Sequence, residues 1–274
     1  MIGKKCLLSL AVISAFFLCA KESYSSSFLS AYKKKYPHIK LILGIDPFDL
    51  RPSGFPKYVR ETAQVVSGIR KAIGRDGATI SGYFVRNVTS DDLHNADLAE
   101  IAKDLDFMTM ECYEPIKSRP YTQLVAPLYS KRGNSVSGCI KRYLDMGAPR
   151  SKVLMAIQNY AVSHTLDDAD RTEPGSPAKN SGWVQYPSNR NGLLYLDQVT
   201  GSDWESYRDE KSNSPYSVNY LQWASYDDKT SVSDKAKFIK EKGLGGAALT
   251  TYPGIDKTNS DLPFAKYVAE LLSS

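Results

Sequence analysis

The chain has 274 residues, 42% of them hydrophobic and 24% charged, and a formal net charge of +5. The positive excess is too weak and too evenly spread to imply nucleic acid, and it names no other partner. Three histidines, His38, His94 and His164, stand far apart without ligand spacing, so neither a metal site nor a cofactor is expected.

In chain order, the first twenty residues read as an address. Met1–Lys5 carry two lysines, and Cys6–Cys19 form an uncharged apolar run that is short for a transmembrane helix. The pattern predicts a secretory signal cut after Ala20. A membrane anchor is the competing reading, but polar residues follow at once and no later apolar run is long enough to span. The mature chain of about 254 residues is then expected to be extracellular, with no membrane in the mature form, and long enough for one α/β domain with a sizeable core. Cleavage takes Lys4, Lys5, Cys6 and Cys19 with it, leaving Cys112 and Cys139 as an even pair in an oxidising compartment. Asn87-Val88-Thr89 is an N-glycosylation acceptor and hints at a surface loop there.

Apolar strand-like runs alternate with helix-period segments through the remainder. Strands are predicted near Ile39–Ile45, Ala78–Val85, Asp106–Tyr113, Lys152–Tyr160, Tyr220–Tyr226 and Gly246–Tyr252. One helix starts at Ser53 and carries Tyr58, Val59, Thr62, Val65, Val66, Ile69 and Ile73 before Gly74. A second places Val136, Cys139, Ile140, Tyr143 and Leu144 on one face before Gly147. A third opens at Ser231, where Asp234 completes a capping box, and stops at Gly243. Strand, helix, strand in this order predicts a parallel sheet with helices outside it. From about 167 to 215 the chain turns rich in Asp, Ser, Gly, Pro and Asn, with Trp183, Tyr186, Tyr195, Trp204 and Tyr207 among them. That composition suits a loop-rich insertion rather than a second full domain.

Four segments together resemble the family-18 glycoside hydrolases, the chitinases and chitinase-like lectins. "DLDFMTMECYEP" is similar to that family's sixth barrel strand, D-F-I-N-x-M-T-Y-D. "APLYS" with "SVSGCIKRYLDMGAPRSKVLMAIQNYAV" resembles the next helix and the seventh strand, and "QWASYDDKTSVSDKAKFIKEKGLGGAALTTYPGID" the last helix and eighth strand. The resemblance runs from about Ile39 to Asp256 and implies a TIM-type (β/α) barrel. It also implies retaining hydrolysis of β-1,4-linked N-acetylglucosamine, with the substrate's own acetamide as nucleophile and one glutamate as acid.

The acid is where this chain departs. If "GIDPFDLRP" is the fourth strand, Asp46 keeps one family aspartate and Leu50 stands at the acid position. If "PHIKLILGI" is instead the third strand, the fourth is missing. In either register no D-x-D-x-E occurs anywhere in the sequence. The fourth-strand motif would fall some twenty residues past the signal, leaving no room for the first β/α units, so an incomplete barrel is expected. Asp46 and Asp49 beside Pro47 also suit ordinary turn chemistry.

Other departures fall on the sugar pocket. Glu111 replaces a family methionine and Glu114 an aspartate, while Tyr113 is kept. Gln158 replaces a proline, Val162 an arginine, and Thr250 the tryptophan that floors the sugar site; Tyr160 is kept. Tyr113, Glu114, Tyr160, Trp183 and Tyr252 are the expected sugar-binding residues, although such aromatics also serve as core. Glu111 and Glu114 are candidates for a relocated acid, against a structural or solvated role. If Tyr113 faces the barrel interior, Cys112 faces the helix layer, where Cys139 lies on an apolar helix face; a Cys112–Cys139 disulfide is predicted, against two buried thiols. The expectation is a secreted, catalytically inactive protein that binds chitin or N-acetylglucosamine-containing glycans. The alternatives are a weak hydrolase using Glu111 or Glu114, or a module that binds a protein or glycoprotein without sugar affinity.

Overall fold

The computed structural model describes residues 42–45, 55–75, 79–85, 95–113, 120–130, 135–179, 192–250 and 263–274. The chain divides into two compact units. One gathers the described residues up to Met110 together with Arg142–Leu154, and the other Glu111–Lys141 with Met155–Leu272.

In the first unit, β1 (Ile42–Ile45) runs parallel to β2 (Thr79–Val85), with Ile42 opposite Thr79 and Ile45 opposite Gly82. The helix between them, α1 (Phe55–Ile73), stops at Gly74, whose φ of 69° suits a residue without a Cβ. Its buried face holds Val66 and Arg70 and leaves Val65 exposed, so the stripe read from the sequence is rotated toward a charged residue. Arg70 is buried because it has work there: Nη2 meets Asp106 Oδ2 at 2.5 Å, and the same carboxylate oxygen accepts from the Ile80 amide at 2.7 Å. One aspartate thus ties helix, strand and the entry to the next strand.

α2 (Asn95–Asp104) escaped the sequence reading, yet it buries Leu98, Ile101 and Ala102 at helical spacing. Lys152 finishes it by donating Nζ to the Ala102 and Leu105 carbonyls, each at 2.7 Å, which suits the negative end of the helix dipole. β3 (Phe107–Glu111) follows, and α3 (Val136–Asp145) leads to β4 (Val153–Gln158). Val136, Cys139, Ile140 and Tyr143 are all buried, as the i, i+3, i+4 pattern predicts. The strand order in this unit is β1, β2, β3, β4.

β4 continues into the second unit, where β11 (Gly246–Thr250) is its neighbour. The predicted strand over 152–160 breaks at Asn159, and β5 (Tyr160–Leu166) begins a different, antiparallel sheet. That sheet adds β6 (Ala178–Lys179), β7 (Leu193–Tyr195), β8 (Glu205–Asp209), β9 (Ser214–Asn219) and β10 (Gln222–Ser225). Its order is β6-β5-β10-β9-β8, with β7 also pairing β5. The segment read as loop-rich therefore carries strands β6 to β8 and the start of β9. The run predicted near Tyr220–Tyr226 is real but belongs to this sheet, because an apolar run marks a strand without naming its partner.

Adjacent residues sort to opposite faces of this second sheet. Ala161, Leu194, Val199, Ala224 and Tyr226 form one apolar cluster, and Leu166, Tyr216, Val218 and Trp223 the other. On the second face the rings stack in sequence: Tyr207 on Tyr216 and Tyr216 on Trp223, each with centroids 5.4 Å apart, then His164 tilted against Trp223 at 5.8 Å. A four-residue helix, α4 (Leu196–Val199), links β7 to β8.

α5 (Lys229–Glu241) packs behind β11, and α6 (Pro263–Ser273) is a second helix that the sequence reading did not place. The cap of α5 is Asp228, not Ser231. Asp228 Oδ1 accepts from the Ser231 amide at 2.8 Å while Ser231 Oγ accepts from the Asp228 amide at 3.0 Å, so Ser231 is the third helical residue of the box. Among the described residues no helix is long and apolar enough to cross a membrane.

Candidate active site at the strand ends

The candidate site lies in the second unit and is built from the last residues of three strands. Met108, Thr109 and Met110 of β3 are all buried, and period two sets Met108, Met110 and Cys112 on one face and Thr109, Glu111 and Tyr113 on the other. Cys112 is bonded to Cys139 of α3, with their Cα atoms 5.7 Å apart, as the sequence predicts. The bond anchors the chain at the residue between Glu111 and Tyr113 and so fixes where both side chains emerge.

Tyr113 is the centre of the arrangement. Burial, then the Glu111 carboxylate and the Tyr160 phenol, push its ionisation far above the ordinary tyrosine range. Its phenol donates to Glu111, which reinforces the neutral form, while a bond from the Thr250 hydroxyl acts in the opposite sense. Tyr113 therefore stays a proton-bearing phenol at any working pH. Thr250 is the last residue of β11, and its carbonyl accepts from the Asn159 amide at 3.3 Å.

Gln158 closes β4 and Tyr160 opens β5, with period two returning both to the same side. Gln158 Nε2 donates to Tyr160 Oη at 2.6 Å, and both residues are buried. The Gln158 Oε1 and Asn159 Oδ1 atoms are buried without a hydrogen-bond partner. Among the described residues no group of three or more His, Cys, Asp or Glu side chains could hold a metal ion. What the site offers is one carboxylate, two phenols, an amide and a hydroxyl at the carboxyl ends of strands, the place where a (β/α) barrel carries its chemistry.

Three expected site residues, Glu111, Tyr113 and Tyr160, meet here. Leu50, Asp46, Asp49, Asn87, Glu114, Trp183 and Tyr252 lie outside the described residues, as does the segment 1–20. Gln158 and Thr250 entered the sequence reading as losses from a pattern and not as members of a site. Counting back by two from Tyr160, and aligning the last residue of the final strand with Tyr113, would have found them.

Strands joined through helices, with polar side chains gathered at their carboxyl ends, define a TIM-type barrel protein. The chain belongs to the glycosyl hydrolases family 18, whose model matches residues 32–250. It is similar to chitotriosidase-1 of Mus musculus, 31% identical over 55% of this chain and 34% of that protein. It is also similar to chitinase-3-like protein 2 of Homo sapiens, 31% identical over 55% of this chain and 41% of that one. The matched part thus spans well under half the length of these curated relatives. In fold it is similar to catalytic domain 2 of the Ostrinia furnacalis Group II chitinase, solved as a Glu-to-Leu variant in complex with (NAG)5. That likeness has a TM-score of 0.74 at 20% identity and covers 90% of this chain and 70% of the other.

Proposed function

We propose that this chain is a secreted chitinase-like protein that binds chitin-type oligosaccharides without cleaving them. The observation that carries the reading is that no D-x-D-x-E occurs in the 274 residues, Leu50 standing at the acid position if 44–52 is the fourth strand. Without that group nothing in the family's pattern protonates the leaving oxygen. The strand-end cluster supports binding: phenols, an amide and a hydroxyl at a barrel mouth suit sugar hydroxyls. The Ostrinia furnacalis variant supports the separation of the two functions, since that protein holds (NAG)5 with one glutamate replaced by leucine. Export rests on the signal-like residues 1–20, and Asn87 is the proposed glycosylation site.

One observation favours the alternative of weak hydrolysis, namely the Glu111–Tyr113 pair at the centre of the site. It favours it little, because the Glu111 carboxyl is already engaged by the Tyr113 phenol. The test is retention of the secreted protein on chitin, together with mass spectrometry of a chitin tetrasaccharide incubated with it. Retention with the tetrasaccharide recovered intact is the expected result. Shorter products that vanish in Glu111→Gln would replace this reading with hydrolysis, and no retention by folded protein would favour a protein partner.

A further inference from the structure

Gln158 Nε2 donates to Tyr160 Oη at 2.6 Å, the Thr250 hydroxyl supports the Tyr113 phenol, and that phenol donates to Glu111. Gln158 Nε2 and the Tyr113 phenol thus each have an acceptor, and the Tyr113 bond ends on a carboxylate. The acceptors are in the opposite situation. Gln158 is only 1% exposed, yet its Oε1 has no donor. The two heteroatoms of one planar amide share a carbon, so Oε1 lies beside the Tyr160 phenol and belongs to this site. A buried acceptor without a donor is costly, and a ligand that supplies one relieves that cost.

Resting on the reading of this site as glycan-binding, we propose that it recognises the free amine of a glucosamine unit, so that the chain prefers deacetylated to fully N-acetylated chitin-type oligosaccharides. An ammonium carries three donors and a positive charge. One donor meets Gln158 Oε1, and the charge lies within the field of Glu111, which already acts on Tyr113. An acetamide offers one neutral N–H and no charge, so it gains less beside Glu111 than an ammonium does.

Equilibrium dialysis of the wild-type protein against a glucosamine tetramer and an N-acetylglucosamine tetramer tests the inference. The expected result is an affinity at least about tenfold higher for the glucosamine tetramer just below neutral pH, narrowing as salt is raised. Glu111→Gln, verified as folded by its thermal melt, is expected to abolish the preference; should it not fold, the salt dependence of the wild-type protein decides. Equal or tighter binding of the N-acetylated tetramer overturns the amine inference and leaves glycan binding standing. No binding of either tetramer by folded protein overturns both.

Discussion

Lys235 places its ammonium 2.6 Å from both carboxylate oxygens of Asp227, and the two side chains are 1% and 2% exposed. Ser231 Oγ adds a third bond to Asp227 at 2.8 Å. A charge pair this deep is costly to break and not costly to replace as a whole. Lys235→Met alone is expected to lower unfolding stability by about 3–5 kcal/mol, because it strands a buried carboxylate. The double variant Asp227→Leu with Lys235→Met is expected to recover much of that loss. Urea unfolding of the three proteins checks this, and equal losses in the single and double variants would contradict it.

His164 contributes a pH dependence. Burial against Trp223 lowers its ionisation from the ordinary value of 6.5 to about 4, and its Nδ1 has no partner. Between those values the unfolded chain binds a proton that the native protein refuses, so stability falls as pH drops through this window and levels off below about 4. The full effect is about 3 kcal/mol. His164→Phe keeps a ring beside Trp223 and is expected to flatten this part of the profile, read as urea midpoints against pH. Parallel profiles for the two proteins would remove His164 from the account.

The Cys112–Cys139 bond closes a loop of sequence separation 27. A loop of that length is expected to contribute about 3 kcal/mol by restricting the unfolded chain. Replacing both cysteines with alanine should lower the urea midpoint accordingly. Alkylation without reductant should leave the peptides carrying both residues unlabelled.

Gly82 sits in β2 where a Cβ would come 2.8 Å from the Phe84 ring and 2.9 Å from Leu105 Cδ1. Both neighbours are buried, so neither can swing clear. Gly82→Ala is expected to cost about 1–3 kcal/mol through overpacking. A thermal melt unchanged from wild type would show that this part of the core yields.

Much of the barrel sheet was legible because its signals are local. Val136, Cys139, Ile140 and Tyr143 announce α3 by spacing, and Gly74 and Gly243 mark helix ends by the positive φ they adopt. The second sheet was not legible for a physical reason. β8 is an edge strand whose residues 205–208 are all exposed, so it carries no apolar alternation, and β5 buries Ser163 and His164 among its apolar residues. Arg70 misled in the same way, since a buried arginine interrupts an apolar stripe until its partner Asp106, 36 residues away, is known. At the candidate site, Tyr113 and Tyr160 drew attention through a pattern they preserve. Gln158 and Thr250 were passed over because they depart from that pattern, although hydrogen bonding makes them part of the network.

The central claim, binding without cleavage, is tested most directly by isothermal titration of the purified protein with a chitin tetrasaccharide. The account predicts heats that saturate and return to baseline after each injection. A heat rate that persists after injection would mean turnover, and the claim would then be wrong.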